Sequence, residues 1–303
     1  MKSCTSPITS TRRTTSLNNK GLVVGAYGKR YDVELPDHSV ISCVTRGKRT
    51  DLACGDAVEI KSTASGEGVI EGFLPRKSLL YRSNAYRTKM LAANVTQAVI
   101  VLATTPSFYE ELLNRCVVAA EAAGIKPLIL LNKCDLAEYG ETMQRLTYYQ
   151  QLGYEVQPLS AKQDIAPLKR YLHGQVSVLV GQSGMGKSTI VNALMPDLKV
   201  RTQEVSQVLD SGKHTTTATH LYHLDDESDL IDSPGLQEFG LYHLSIVQLE
   251  HAFLEFRPYL GKCRFNNCRH LKEPDCAVIA AVDAGTISPK RLSCYQGLLH
   301  ELS

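Results

Sequence analysis

One stretch of the chain has the residue types and spacing that bind a phosphate chain. Its pattern is Gly-x-x-x-x-Gly-Lys-Ser, and it lies between a predicted strand at 176–180 and a predicted helix. Glycines let successive backbone N–H groups approach the phosphates. The lysine, Lys187, is expected to reach the β- and γ-phosphates, and the hydroxyl of Ser188 to bind Mg²⁺. The residues assigned to this phosphate loop are Gly181, Gln182, Ser183, Gly184, Met185, Gly186, Lys187, Ser188 and Thr189.

A second motif, Asn-Lys-Cys-Asp, ends a predicted buried strand at 127–131 and precedes the phosphate loop in the chain. The carboxylate of Asp135 can accept hydrogen bonds from both N1–H and the 2-amino group of guanine. Adenine offers neither donor, so this residue would select guanine. Asn132 is expected to tie the motif to the phosphate loop, and the stem of Lys133 to cover the base. A further base-contacting loop is assigned to Ser160, Ala161 and Lys162, which follow the next predicted strand.

Two later segments have residues suited to the γ-phosphate and Mg²⁺. In the Asp-Ser-Pro-Gly motif, Asp232 is expected to hold Mg²⁺ through water and the Gly235 N–H to contact the γ-phosphate. A polar Thr-rich stretch at 212–217 is typical of a loop, and Thr216, or else Thr217, is expected to give its hydroxyl to Mg²⁺. The position after Gly235 is Leu236, which cannot orient water as the glutamine of Ras-like enzymes does. Slow intrinsic hydrolysis is therefore predicted.

Near the end of the chain, four soft ligands follow one another at short spacing. Cys263, Cys268, His270 and Cys276 form the pattern Cys-x₄-Cys-x-His-x₅-Cys. Three thiolates and one imidazole suit a closed tetrahedral site for one structural Zn²⁺, with no ligand position left for water. A catalytic zinc is therefore not expected.

The elements that must position these motifs change in character along the chain. Five short alternating strands between 21 and 81 predict a small barrel of the OB type, although an SH3-like barrel would have the same pattern. Strands alternating with helices then predict a parallel sheet with helices on both faces. After 243 the strand pattern stops, and helices are predicted at 246–256, 276–284 and 289–302. This last part is short, so a metal would help to hold it together.

Composition limits the classes of protein that the chain can belong to. The 303 residues are 43% hydrophobic with a net charge of +2, which predicts packed globular domains and by itself says nothing about nucleic acid. No apolar stretch is long enough to span a bilayer, and nine mostly scattered cysteines suit a reducing cytoplasm. Residues 1–20 are typical of a disordered polar tail, and an organellar transit peptide would look similar. Two basic runs indicate either a solvated face or contacts to RNA; they are Arg46, Lys48 and Arg49, and Arg76, Lys77, Arg82, Arg87 and Lys89.

The order of the motifs carries a resemblance to a known family. The order Asn-Lys-x-Asp, Ser-Ala-Lys, Gly-x₄-Gly-Lys-Ser, His-Thr-Thr-Thr, Asp-x-Pro-Gly resembles that of the circularly permuted GTPases. Among them, the sequence from 21 onward is similar to the bacterial ribosome small subunit-dependent GTPase A (RsgA/YjeQ) family, including its zinc spacing. Permutation is tolerable because every loop still lies at one edge of the sheet.

The resemblance implies a multidomain α/β architecture with defined parts. After the disordered tail (1–20), which lies outside the resemblance, these are an RNA-binding OB-type β-barrel (21–85), a circularly permuted P-loop GTPase domain (86–244) and a helical zinc-binding domain (245–303). It further implies a cytoplasmic, monomeric enzyme that hydrolyses GTP to GDP slowly alone. The small ribosomal subunit and its rRNA would stimulate it during late subunit maturation. The implied catalytic residues are His214, as the group that positions water, with Lys187, Thr216 and Asp232.

Two other functions remain open from the residues alone. A P-loop ATPase or small-molecule kinase with a chance Asn-Lys-Cys-Asp match would bind ATP as well as GTP. An RNA-binding scaffold with a purely structural nucleotide would show no turnover stimulated by ribosomal subunits. The barrel alone does not establish RNA binding, because OB faces also bind oligosaccharides and proteins.

Overall fold

The computed structural model describes most of the chain between Lys20 and Leu302. The described residues are 20–47, 51–63, 66–84, 87–196, 219–232 and 241–302.

The first five strands close into a barrel. The strands pair in the order β1-β2-β3-β5-β4, and β4 returns to β1. All these pairings are antiparallel except β3 with β5, and this closed arrangement is that of an OB barrel rather than an SH3-like one. Apolar side chains alternate inward and form a separate core. The strands are β1 (Lys20–Tyr27), β2 (Arg30–Glu34), β3 (Val40–Thr45), β4 (Ala57–Ser62) and β5 (Glu67–Phe73).

A two-stranded hairpin, absent from the sequence-based expectations, follows the barrel. It consists of β6 (Leu79–Asn84) and β7 (Arg87–Ala93) and contains much of the second basic run. Its β7 end is fixed to the barrel because Ala93 N–H donates to the Cys54 carbonyl at 2.9 Å. The domain boundary predicted at 85/86 falls between the two strands of this hairpin. The boundary itself stays a prediction.

The strands of the central sheet lie in the order β10-β9-β8-β11-β13-β12, in which β9 and β11 match the strands predicted at 127–131 and 176–180. The first five are parallel, as predicted, and β12, the last strand in this order, is antiparallel to β13. β12 also pairs with β1, which joins barrel and sheet into one eleven-stranded sheet. Its strands are β8 (Gln97–Ala103), β9 (Lys126–Asn132), β10 (Glu155–Pro158), β11 (Val176–Val180), β12 (Thr219–His223) and β13 (Asp229–Asp232).

In the described part of this region, four helices connect the strands. Residues of β8 are buried on both faces, as expected for a strand covered by helices on each side. Gly124 has φ of 66° directly after the first helix, which is the left-handed conformation that glycine favours at a helix end. The helices are α1 (Glu110–Ala122), α2 (Tyr139–Gln151), α3 (Ala166–Leu172) and α4 (Lys187–Leu194).

A histidine joins the barrel to the central sheet. His223 on β12 contacts Glu34 of β2 through Nε2 at 2.6 Å and Asp229 of β13 through Nδ1 at 2.6 Å. Only an imidazolium can donate both hydrogen bonds, so the contact is complete when His223 is protonated.

The C-terminal helices pack on the central domain rather than around a core of their own. One hydrophobic cluster runs from the hairpin through the sheet into these helices. A buried network adds polar contacts: Arg291 Nε donates to Glu255 at 2.6 Å, and its Nη1 donates to Asn114 of α1 at 2.7 Å. The elements are α5 (Ile246–His251), a 3₁₀ turn (Leu254–Phe256), α6 (Ala277–Asp283) and α7 (Pro289–Leu302).

One helix prediction was wrong in extent. The helix expected over 246–256 ends at His251 and is followed by the separate 3₁₀ turn. Phe253, at the break, is fully buried against the rings of Phe256 and Tyr295, so packing of this ring replaces helical continuation. Among the described residues, no helix is both long and apolar enough to cross a membrane.

Candidate nucleotide and zinc sites

The phosphate loop connects β11 to α4 in a conformation that requires glycine. Gly181 has φ of 144°, and a Cβ there would lie 2.3 Å from the Val101 carbonyl. Gly186 has φ of 96°, and a Cβ there would lie 2.3 Å from Nδ2 of Asn132. The two glycines therefore let the loop lie directly against strand β8 and the last residue of β9. Ser183, Gly184 and Ser188 are exposed at its outer side.

Lys187 is folded back over this loop. Its side chain is buried, and Nζ donates to the carbonyls of Gly181 at 2.7 Å and Gln182 at 2.9 Å. Burial lowers the pKa of Lys187, although the nearby Asp232 carboxylate partly opposes this. Burial also raises the pKa of Asp232, and Lys187 partly opposes that shift. Lys187, which begins α4, and Asp232, which ends β13, thus each stabilise the charge of the other.

The Asn-Lys-Cys-Asp motif and the 160–162 loop meet the phosphate loop through one buried side chain. Asn132 donates from Nδ2 to the Met185 carbonyl at 3.0 Å, and its Oδ1 accepts from the Ala161 N–H at 3.1 Å. Only 2% of this residue is exposed. Lys133 adds a second link, because Nζ donates to the Gly184 carbonyl at 2.9 Å. Three loops that are far apart in sequence are therefore held at one edge of the sheet.

A cavity of about 270 Å³ lies between these loops. Asp135, Ser160 and Lys162 line it, as the sequence predicts for a base site. The Ser160 hydroxyl oxygen is buried beside Asp135, and its hydrogen-bonding interaction with that carboxylate lowers the pKa of Asp135. Thr105 and Leu136 also line the cavity and were missed in the sequence. Thr105 follows the end of β8, and this position at a strand end was the available signal.

Several predicted site residues lie outside the described residues. They are His214, Thr216, Thr217 and Gly235, together with Leu236. Of the predicted γ-phosphate and Mg²⁺ groups, Asp232 is placed at the end of β13 and Ser188 in the first turn of α4. Both offer hard oxygen donors, which is the ligand chemistry that Mg²⁺ prefers.

The four predicted zinc ligands come together in the C-terminal region. Their ligand atoms all lie within 4.8 Å of one another. His270 Nδ1 is 3.7, 3.6 and 3.3 Å from the sulfurs of Cys263, Cys268 and Cys276. A tetrahedron with metal–sulfur bonds of about 2.3 Å separates its sulfurs by roughly 3.8 Å. The Sγ atoms of Cys263 and Cys276 are 3.8 Å apart, so the donor set fits Zn²⁺.

The phosphate loop, the guanine motif and the second base loop meet at one edge of a largely parallel sheet, in a chain order that begins with the base motif. This combination defines a P-loop GTPase whose elements are circularly permuted. The model of the RsgA GTPase family matches residues 73–242. The chain therefore belongs to the RsgA GTPase family.

Relatives and solved structures are similar to this protein over nearly the whole chain. "Small ribosomal subunit biogenesis GTPase RsgA" of Nitrosospira multiformis is 52% identical over 285 residues, which cover 94% of this chain and 91% of the relative. The protein of the same name from Nitrosomonas europaea is 49% identical, covering 96% of this chain and 94% of the relative. The crystal structure of YjeQ from Thermotoga maritima is 30% identical with a TM-score of 0.71, covering 94% of this chain and 99% of that chain. YloQ, described as a circularly permuted GTPase, has a TM-score of 0.69 at 27% identity, covering 97% and 98%.

Proposed function

We propose that this GTPase acts in late maturation of the small ribosomal subunit, and that the subunit stimulates an otherwise slow hydrolysis of GTP to GDP and phosphate. The observation that carries the enzymatic part is the joining of three loops by Asn132 around a cavity that Asp135 lines. The names of the relatives support the ribosomal part.

In the base site, we propose that Asp135 accepts hydrogen bonds from N1–H and the 2-amino group of guanine. Asp135 and Ser160 both line the cavity, and the Ser160 side chain helps to keep the Asp135 carboxylate ionised, the form that accepts hydrogen bonds. ATP would leave these groups unpaired, which costs far more than the loss of an apolar contact. The contacts of Lys133 would hold its stem over the base.

In the phosphate site, Lys187 would exchange its two backbone carbonyl partners for β- and γ-phosphate oxygens. Ser188 and Thr216 would hold Mg²⁺ directly and Asp232 through water. When bound, this ion would help to neutralise the charge on the phosphates. His214 is proposed to position the attacking water, a role that Leu236 cannot take.

The remaining parts would attach the enzyme to its substrate particle. The barrel and the basic residues around the hairpin are proposed to contact rRNA, because phosphate contacts supply most of the affinity for structured RNA. Zn²⁺, held by Cys263, Cys268, His270 and Cys276, would stabilise the C-terminal region. We further propose that the protein works as a monomer in the cytoplasm and keeps the boundaries 1–20, 21–85, 86–244 and 245–303.

The test is GTP turnover with and without purified small ribosomal subunits, beside an ATP control. We expect slow turnover alone, strong stimulation by the subunits and no ATP hydrolysis. Asp135→Asn should weaken the binding of GTP and strengthen the binding of xanthosine triphosphate, since an amide N–H can donate to the xanthine 2-oxygen. Asp37→Asn, which changes a carboxylate in a barrel turn, serves as the matched control.

Two outcomes would replace the proposal. If ATP displaces bound GDP as effectively as GTP does, an ATPase or kinase is favoured. Tight GDP binding with no turnover, even with subunits present, would favour an RNA-binding scaffold.

A further inference from the structure

The segment at 105–109, between β8 and α1, touches the base side of the nucleotide site. Thr105 lines the base cavity, and its carbonyl accepts a hydrogen bond from Lys133 Nζ at 2.5 Å. This segment therefore helps to set the position of the side chain whose stem covers the base in the proposed function.

The same segment also touches the phosphate loop. Pro106 lies against Gly184, where an added Cβ would be 3.4 Å from the proline Cγ. The Tyr109 N–H donates to Oε1 of Gln182 at 3.4 Å. One short segment thus contacts both the loop that meets the base and the loop that meets the phosphates.

Most of this segment is exposed, and a side chain from α2 holds it in place. Of its five residues, only Phe108 is buried. Arg145 donates from Nη1 to the Ser107 hydroxyl at 3.2 Å and from Nη2 to the Phe108 carbonyl at 3.4 Å. Its guanidinium carbon also lies 4.1 Å from the centre of the Phe108 ring. The planar fork of arginine is suited to making all these contacts at once.

We propose that Arg145 is a positioning residue for guanine-nucleotide binding, acting through the 105–109 segment on Lys133 and Gln182. The inference rests on the proposed function and extends it, because Arg145 is not among the residues that line the base cavity. Without Arg145, the segment loses its anchor to α2, and the nucleotide must order it on binding.

The loss should appear in one kinetic parameter and not in another. None of the Arg145 contacts described above reaches Lys187 or Asp232. The chemistry at the γ-phosphate should therefore not change when Arg145 is replaced. Nucleotide should therefore dissociate faster and the KM for GTP should rise, while kcat at saturating GTP stays constant. If Arg145 mattered only for folding, its replacement would lower the thermal stability without raising KM at constant kcat.

The experiment uses the full chain with Arg145→Gln, Arg145→Lys and a matched control, Arg170→Gln. Arg170 is also an exposed helical arginine above a ring, with its guanidinium carbon 4.9 Å from the centre of Tyr171. The dissociation rate of a fluorescent GDP analogue, KM and kcat for GTP, and the thermal midpoint are measured for each. We expect Arg145→Gln to raise the dissociation rate about tenfold. Arg145→Lys should be intermediate, because it keeps the charge above the ring, and Arg170→Gln should match the wild type.

Two results would overturn the inference, and they are distinguishable. If the wild type binds GDP with selectivity over ADP and Arg145→Gln releases it no faster than Arg170→Gln, only the role of Arg145 is wrong. If the wild type does not prefer GDP to ADP, the proposed function itself fails and the inference with it. Should Arg145→Gln prove unfolded, Arg145→Lys decides by the same comparison.

Discussion

Removal of the Asn132 side chain tests whether one buried residue holds the three nucleotide loops together. Asn132→Ala deletes the donor to the Met185 carbonyl and the acceptor of the Ala161 N–H. Met185 and Ala161 are both buried, so neither backbone group can readily turn to water instead. Each unpaired buried group costs about 1–3 kcal/mol, which predicts a loss of about 2–6 kcal/mol in the free energy of unfolding.

The effect on nucleotide binding follows from the same two hydrogen bonds. If bound GDP must restore the loop arrangement at a cost of about 1.4 kcal/mol, its affinity falls about tenfold. At a GDP concentration of about 100 times the wild-type Kd, GDP stabilises the wild-type fold by about 2.7 kcal/mol. For a tenfold weaker variant at the same concentration, the stabilisation falls to about 1.4 kcal/mol.

The assay is urea unfolding with and without GDP, with Asn114→Ala as the matched control. Asn114 is also a buried asparagine; its Oδ1 accepts from the Tyr149 hydroxyl at 2.8 Å and from Arg291 at 2.7 Å, outside the nucleotide site. Both variants should be less stable without nucleotide, and only Asn132→Ala should lose stabilisation by GDP. An Asn132→Ala protein that GDP stabilises as strongly as it does the wild type would refute the reasoning.

Three further predictions concern other parts of the molecule. Cys268→Ser should remove the bound zinc, measured as metal per chain, and lower the thermal midpoint, because the tetrahedral donor set is incomplete; full metal content would contradict the assigned site. Although burial lowers the pKa of His223, its hydrogen bonds with Glu34 and a second carboxylate raise the pKa overall. Its stabilisation should be present below about pH 6.5 and lost as the pH rises through that raised pKa, so His223→Gln should flatten the pH dependence of stability by about 0.5–1 kcal/mol. If the slope of stability against pH is the same in His223→Gln as in the wild type, the His223 contact is not the source of that slope. Arg291→Leu should cost about 3–5 kcal/mol in urea unfolding by leaving Glu255 buried and unpaired, and adding Glu255→Leu should recover part of it; strictly additive losses would argue against the pair.

Much of the nucleotide and zinc chemistry could be predicted from the sequence because its signals are local. A phosphate loop needs glycines and a lysine at fixed spacing, and Gly181 and Gly186 have the positive φ angles that such a loop requires. Zinc ligands at short spacing can meet with little rearrangement of the chain, and Cys263 and Cys276 are close enough to share a metal. The buried strand predicted at 127–131 is present as β9, in which every residue except Lys126 is buried.

The features that were missed depend on partners distant in sequence. The hairpin at 79–93 lies in a basic, weakly alternating stretch, and its β7 end is fixed to the barrel by the backbone of Cys54. The 105–109 segment has no motif, and its relevance comes only from Arg145, Lys133 and Gln182 lying next to it in space.

The sequence by itself determined the types of the ligand-binding groups and their cyclic order, since spacing along a strand end or loop decides which atoms can face one phosphate, base or metal. Only the tertiary structure decided between an OB and an SH3-like barrel, through the parallel pairing of β3 with β5. It also decided that β12 joins β1 and that the helix expected to 256 stops at His251. Strand pairing and ring burial depend on contacts between residues far apart in the chain, and alternation or helical periodicity within one segment does not specify its partner.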